Sequence, residues 1–172
     1  MTNSSNKLMR GVARLLTALI ALNILCFFLF AGIVVGSFVA EGAIVAALAK
    51  DNPARSPAAT LSAMRFVMLI GLLMVPLAHL LLTRLRAIVA SVQEGDPFVA
   101  ANARRLTAIA WALLGIQIVD LGFGIVSMTW GLEEEMAWSF ALTPWLAVLL
   151  LFVLARVFEH GTRMRDELAA TI

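Results

Sequence analysis

The sequence predicts an all-α, multi-pass membrane protein: an antiparallel bundle of four transmembrane helices with helical extensions in the cytoplasm. Hydrophobic residues make up 62% of the chain, and its mean hydropathy is +0.95. Long segments almost free of charge alternate with short segments that hold nearly all charged residues. Apolar segments of this length are typical of helices that cross a bilayer. We therefore expect one membrane domain, residues 1–172, in contact with the lipid bilayer.

The first predicted span covers about residues 15–40. Its apolar part is longer than the ~7 to 15 residues of a secretory signal peptide, so we interpret it as an uncleaved helix. Gly32, Gly36 and Ala40 recur every four residues along it. Small residues at this spacing allow a second helix to approach closely, so a homo-oligomer is one expectation.

The connection from Glu41 to Arg65 contains two helix signals. Asp51-Asn52-Pro53 interrupts the apolar pattern, and Ser56-Pro57 combines a capping side chain with a proline suited to the first helical turn. We predict a small helical hairpin here, followed by a second span at about residues 66–83. Pro76 within this span can kink it.

Residues 84–105, which we call the hub, join the two halves of the chain. Apolar residues at helical spacing after Arg84 predict that the second helix extends beyond the membrane. Asp96 followed by Pro97 predicts the start of the third helix. The remaining spans are expected at about residues 106–130 and 136–155, and residues 156–172 form a tail with an amphipathic pattern. The apolar face of this tail can pack either against the hub or against an external protein. We favour the hub.

Basic residues predict the orientation of the chain. The amino-terminal segment has three Lys or Arg, the hub four and the tail three, against three in the first connection and none in the acidic turn at 131–135. Because cytoplasmic segments carry an excess of Lys and Arg, both termini and the hub are expected on the cytoplasmic side.

The chemistry-bearing residues favour no catalytic reading. The single cysteine, Cys26, can form no internal disulfide. His79 and His160 are expected at different heights, which is awkward for a haem or a metal ion. No phosphate-binding loop or nucleophile–base pair is found. We predict no enzyme activity, no catalytic or metal site, no cofactor and no direct contact with nucleic acid.

Asp120 is the most unusual residue of the predicted spans. A charge near the bilayer centre costs about 2.5–3.5 kcal/mol on insertion scales, so this carboxylate should pair, face other helices or be protonated. Gln117 lies one turn earlier on the same face, and Arg65 is the preferred partner because a long side chain can reach inward. Arg65, Gln117 and Asp120 form either a structural polar cluster or a site for a proton or cation.

Two segments resemble signatures of a bacterial family of membrane proteins, the domain of unknown function 2975. They run from Glu94-Gly95-Asp96-Pro97-Phe98 through Asn102 to Leu106, and from Val157-Phe158-Glu159-His160-Gly161-Thr162-Arg163-Met164 through Glu167 to Ile172. The resemblance implies four spans in the inner (plasma) membrane and no established biochemical activity. It also implies a cytosolic helix-turn-helix transcription regulator as a partner, because the genes of the family often neighbour one for such a protein.

Two functions remain open from the sequence. In the first, the protein is regulatory and contacts or sequesters a cytosolic transcription regulator through its hub and tail. The residues proposed for this contact are Asp96, Pro97, Phe98, Asn102, Phe158, Gly161 and Glu167. In the second, it is a small proton- or ion-coupled transporter that uses Asp120.

Overall fold

The structure is a computed structural model that describes residues 3–51, 56–129 and 138–169. These residues form five α-helices and, within the described ranges, no strand. The helices are α1 (Asn3–Val39), α2 (Glu41–Asp51), α3 (Pro57–Gln93), α4 (Ala100–Thr129) and α5 (Thr143–Ala169). The predicted all-α fold class is confirmed.

Four of the helices are long and apolar enough to cross a membrane. The candidate spans are Lys7–Val39, Pro57–Gln93, Ala100–Thr129 and Thr143–Arg165. Their most apolar windows have mean hydropathies between 2.8 and 1.5. Many of their large apolar side chains are exposed, Phe28 and Leu150 both at 67%. A surface of this kind is stable only against lipid or another apolar surface, and the chain is therefore a multi-pass membrane protein.

The chain divides into two compact units. One comprises residues 22–76, and the other comprises residues 1–21 together with 77–172. Both α1 and α3 continue across a boundary between the units, and Pro76, inside α3, is the last residue of the first one.

The unit of residues 22–76 confirms the predicted start of α3. This helix begins at Pro57, and the Oγ of Ser56 accepts the backbone N–H of Ala59 at 3.4 Å. Within the predicted hairpin, α2 is separated from α1 by a turn at Ala40. Asn52 and Pro53 of the predicted breaker lie outside the described residues.

In the other unit, α4 and α5 pack along each other. The rings of Trp111 and Phe152 meet edge to face with centroids 5.3 Å apart. Both helices contain buried apolar side chains: Leu106, Ile109, Ala110 and Ala112 on α4, and Val148 and Ala155 on α5. The alanines among them are small enough to permit close helix packing.

The turn between α3 and α4 differs from the prediction. Gly95 has φ of +88°, the Gly95 N–H donates to the Val92 carbonyl, and the Asp96 N–H donates to the Ser91 carbonyl. This is a Schellman motif, which ends α3. Asp96 thus follows the end of one helix and does not cap the next, which begins at Ala100, three residues beyond Pro97. The Asp-Pro pair alone predicts a helix start, but Gly95 before it adopts a left-handed conformation and makes this turn the end of α3.

The fourth span also begins later than predicted. Residues 138–142 are not helical, and α5 starts at Thr143, with Pro144 in its first turn. Proline is favoured there because its missing N–H is one of the unpaired donors of a helix start. The predicted start at Met136 lies outside the described residues, as does Trp130, the predicted end of the third span.

Candidate functional site

The hub and the tail pack against each other. The Phe98 ring stacks on the Phe158 ring with centroids 5.2 Å apart. The Arg165 guanidinium forms a bidentate ion pair with Asp96, with Nη2 to Oδ2 at 3.1 Å, and donates from Nη1 to the Phe98 carbonyl at 3.0 Å. Gly161 lies against Phe98: a Cβ added to this glycine would be 3.8 Å from the nearest atom of the Phe98 ring. We call residues 84–105 and 156–169, joined by these contacts, the hub–tail module.

Asn102 holds the hub together from inside. Its side chain is 0% exposed. Its Nδ2 donates to the Ser91 hydroxyl at 2.7 Å and to the Pro97 carbonyl at 2.8 Å, and its Oδ1 accepts from Arg105 at 2.8 Å. One buried amide therefore connects the end of α3, the turn and the first helical turns of α4, with both of its functional groups used.

A groove of about 730 Å³ lies between the start of α4 and the end of α5. Its lining residues are Ala100, Ala103, Arg104, Thr107, Glu159, Thr162, Arg163 and Glu167. Small side chains contribute part of the lining, and two arginines and two glutamates bring both signs of charge. All of these residues except Thr107 lie in the two segments whose sequences carry the family resemblance.

The seven residues predicted to contact a partner thus take two roles. Asp96, Phe98, Phe158 and Gly161 contact one another or Arg165 within the module. Asn102 is buried, and the Pro97 carbonyl accepts one of its bonds. Glu167 lines the groove. Arg104 and Arg163 also line the groove. They lie within the predicted hub and tail but are not among the seven residues, because surface charges on an amphipathic helix do not indicate which groove they border.

Asp120 has a different partner from the predicted one. Its Oδ2 accepts the indole N–H of Trp138 at 3.2 Å, and the side chain is half-buried. The Trp138 ring lies against the backbone of Gly124, where an added Cβ would clash with ring atoms. Gly124 thus provides the space in which the indole reaches the carboxylate. Gln117, one turn before Asp120, is also half-buried.

We expect Gly124→Leu to displace the Trp138 ring and break its bond to Asp120. The added side chain would occupy the space of the indole, and overpacking of this kind costs about 1–3 kcal/mol. The intrinsic fluorescence spectrum of purified Gly124→Leu in detergent should therefore be shifted from that of the wild type. A Trp138→Phe variant, measured in the same way, identifies the part of the spectrum that comes from this indole. Gly122→Leu is the matched control, since Gly122 has open space at its Cβ position. Equal spectra for Gly124→Leu and Gly122→Leu would contradict the predicted displacement.

Arg65, near the start of α3, bonds to residues at the end of α1 and the start of α2. Its Nε donates to the Ser37 hydroxyl at 3.0 Å, and its Nη2 donates to the Ser37 carbonyl at 2.6 Å and to Glu41 Oε2 at 3.0 Å. The guanidinium also lies 3.9 Å from the centre of the Phe38 ring. Both Arg65 and Asp120 therefore have partners other than the one predicted for them. The nearest acceptors, at the end of α1, satisfy the arginine without a long reach into the apolar region.

Asn23 is a polar residue that the sequence pattern does not single out. It lies within α1, and its Oδ1 is buried without a hydrogen-bond partner among the described residues. A single amide in a long apolar run gives little signal. For metal binding, the described residues contain no cluster of three or more His, Cys, Asp or Glu.

Comparison with known proteins identifies one family. Residues 43–172 match the family model described as "Protein of unknown function (DUF2975)". The match spans both segments of the hub–tail module and three of the four candidate spans. No curated protein and no solved structure matches the chain.

Proposed function

This chain belongs to the DUF2975 family, and we propose that, as a member of it, the protein is a membrane-bound regulator whose hub–tail module binds a cytosolic helix-turn-helix transcription regulator. In this proposal the module lies on the cytoplasmic face of the bacterial inner membrane. The excess of Lys and Arg in the hub, the tail and the amino-terminal segment supports that orientation.

The groove between α4 and α5 is the observation that carries the proposal. Both family segments contribute to it, and the contacts between Phe98 and Phe158 and between Asp96 and Arg165 fix its two walls relative to each other. A preformed groove lowers the entropy cost of binding, because the receiving surface is ordered before the partner arrives.

The chemistry of the groove fits an amphipathic helix of the partner. Ala100 and Ala103 leave room for side chains, and Thr107 and Thr162 add hydroxyl groups. Arg163 makes no ion pair with another described residue and can meet a carboxylate of the partner. Helices laid into such grooves are anchored by side chains at i, i+3 and i+4 spacing.

Transport is the less supported alternative. Asp120 would be its central residue, but the carboxylate accepts the Trp138 indole N–H, as a structural polar group would. Asp120 is not among the residues that line the 730 Å³ groove. We therefore favour regulation.

We expect Arg163→Glu to weaken binding of the regulator about tenfold. The new glutamate would face the carboxylate of the partner that Arg163 is proposed to meet, and the two negative charges would repel each other. A photo-crosslinking amino acid in place of Thr107 would capture the partner in native membranes. Mass spectrometry of the crosslinked product should identify a helix-turn-helix protein, at a yield that falls in the Arg163→Glu background.

Two controls make the experiment specific. Arg86→Glu reverses an exposed arginine of the hub that does not line the groove, and should leave the yield unchanged. The same crosslinker in place of exposed Gln93 should give no such product. Absence of a helix-turn-helix protein from the Thr107 crosslinks, at normal levels of the membrane protein, would overturn the proposal.

A further inference from the structure

A second cavity, of about 380 Å³, lies beside the hub and is lined mainly by arginines. Its lining residues are Arg84 from α3 and Ala101, Arg104, Arg105 and Ala108 from α4. The two alanines leave space between the long side chains. We infer that this cavity binds a phosphate oxyanion, the phosphate being that of an anionic phospholipid headgroup. The inference does not depend on the proposed transcription regulator.

The charge of the cavity calls for an anion. Three guanidinium groups line it, and no acidic residue is among the lining residues. Arg84 and Arg104 are exposed and make no hydrogen bond or ion pair within the described part of the chain. The three like charges repel one another, and a bound anion would reduce this repulsion.

Arg105 is already oriented for phosphate. Its two hydrogen bonds within the described part of the chain, to the Asn102 Oδ1 at 2.8 Å and to the Ala87 carbonyl at 3.2 Å, both use Nη1. The edge formed by Nε and Nη2 is left to other acceptors. That edge presents two parallel N–H groups, the fork that binds two oxygens of one phosphate. Because buried Asn102 fixes Arg105, little side-chain entropy remains to be lost on binding.

The position of the cavity along the helices matches the headgroup layer. Arg84 directly follows the uncharged run of residues 66–83 on α3, and Arg105 directly precedes the apolar run that starts at Leu106 on α4. The cluster therefore lies where two membrane-crossing segments leave the apolar region. Basic pockets between helices at this level bind the headgroups of anionic lipids. A volume near 380 Å³ suits a headgroup while its acyl chains remain in the bilayer.

The test is lipid binding by the full-length protein in mild detergent, followed by native mass spectrometry. Phosphatidylglycerol and phosphatidylcholine are titrated separately, because both contain a phosphodiester but only the first has a net negative charge. We expect saturable binding of phosphatidylglycerol that exceeds phosphatidylcholine binding about tenfold. Arg84→Gln combined with Arg104→Gln should reduce it about tenfold, and Arg86→Gln, which removes an exposed arginine outside the cavity, should not.

The remaining arms separate folding and the source of the phosphate. Thermal unfolding of the double variant without lipid should match the wild type, because neither arginine makes a hydrogen bond or ion pair among the described residues. Inorganic phosphate is titrated as a third ligand. If it binds and phosphatidylglycerol is not preferred over phosphatidylcholine, the lipid assignment is overturned. Equal loss of phosphatidylglycerol binding in the double variant and in Arg86→Gln would overturn the site itself.

Discussion

Replacement of Asn102 by Leu is expected to lower the free energy of unfolding by about 2–5 kcal/mol. The leucine has a similar volume but offers no donor or acceptor. The Pro97 carbonyl and one N–H of Arg105 would then be left without their present partner next to a fully buried side chain. Chemical or thermal unfolding of the purified protein in detergent would measure the loss.

Two further substitutions sharpen this prediction. Asn102→Asp keeps an acceptor for Arg105 but loses the donors to Ser91 and Pro97, so we expect an intermediate loss of stability. Gln93→Leu removes an exposed amide at the end of α3 and should change the unfolding free energy by no more than about 0.5 kcal/mol. If Asn102→Leu were no more harmful than Gln93→Leu, the buried amide could not be what holds the hub together.

Replacement of Arg65 by Met is expected to cost about 2–4 kcal/mol of stability, since hydrogen bonds to charged groups contribute about 1.5–3 kcal/mol each and do not add fully. The guanidinium is 16% exposed and bonds to Ser37 twice and to Glu41 once. Its loss would free the first turn of α2, a helix with no buried residue. Hydrogen exchange of the α2 amides should therefore accelerate, together with a lower unfolding temperature.

The matched variants for Arg65 separate charge from geometry. Arg65→Lys keeps the positive charge beside Phe38 but cannot bond to Ser37 and Glu41 as a planar fork, so we expect a partial loss. Lys50→Met removes an exposed cation of α2 and should affect neither readout. Unchanged exchange of the α2 amides in Arg65→Met would show that the arginine does not hold this helix.

Because the hub and the tail pack against each other, the residues of the family resemblance have a structural role in this protein. The residues that carry it include the side chains that fasten the two segments, and most of them are occupied by intramolecular contacts. These residues hold the hub–tail module together, and the groove forms only when the module is folded. The groove residues Arg104, Thr107, Glu159 and Arg163 are therefore better targets than Phe98 and Phe158 for testing the proposed partner contact.

Local chemistry determined much of the fold. Four apolar runs predicted the four candidate spans, and the Ser56-Pro57 pair predicted the start of α3. The amphipathic pattern after Arg84 predicted that this helix continues past its apolar run, which it does as far as Gln93. These signals act within a few residues along the chain, so the sequence contains them complete.

The sequence by itself thus determined a multi-pass, all-α membrane protein with an arginine-rich hub, and only the tertiary structure decided which polar side chains are partners. Asp96 and Arg165 are 69 residues apart in the chain, and Asp120 and Trp138 are 18 apart. The Asp96 carboxylate can act as a helix cap or as the acceptor of an ion pair. The choice depends on which donor the packed helices bring near, because an ion pair and its hydrogen bonds form only over a few ångströms.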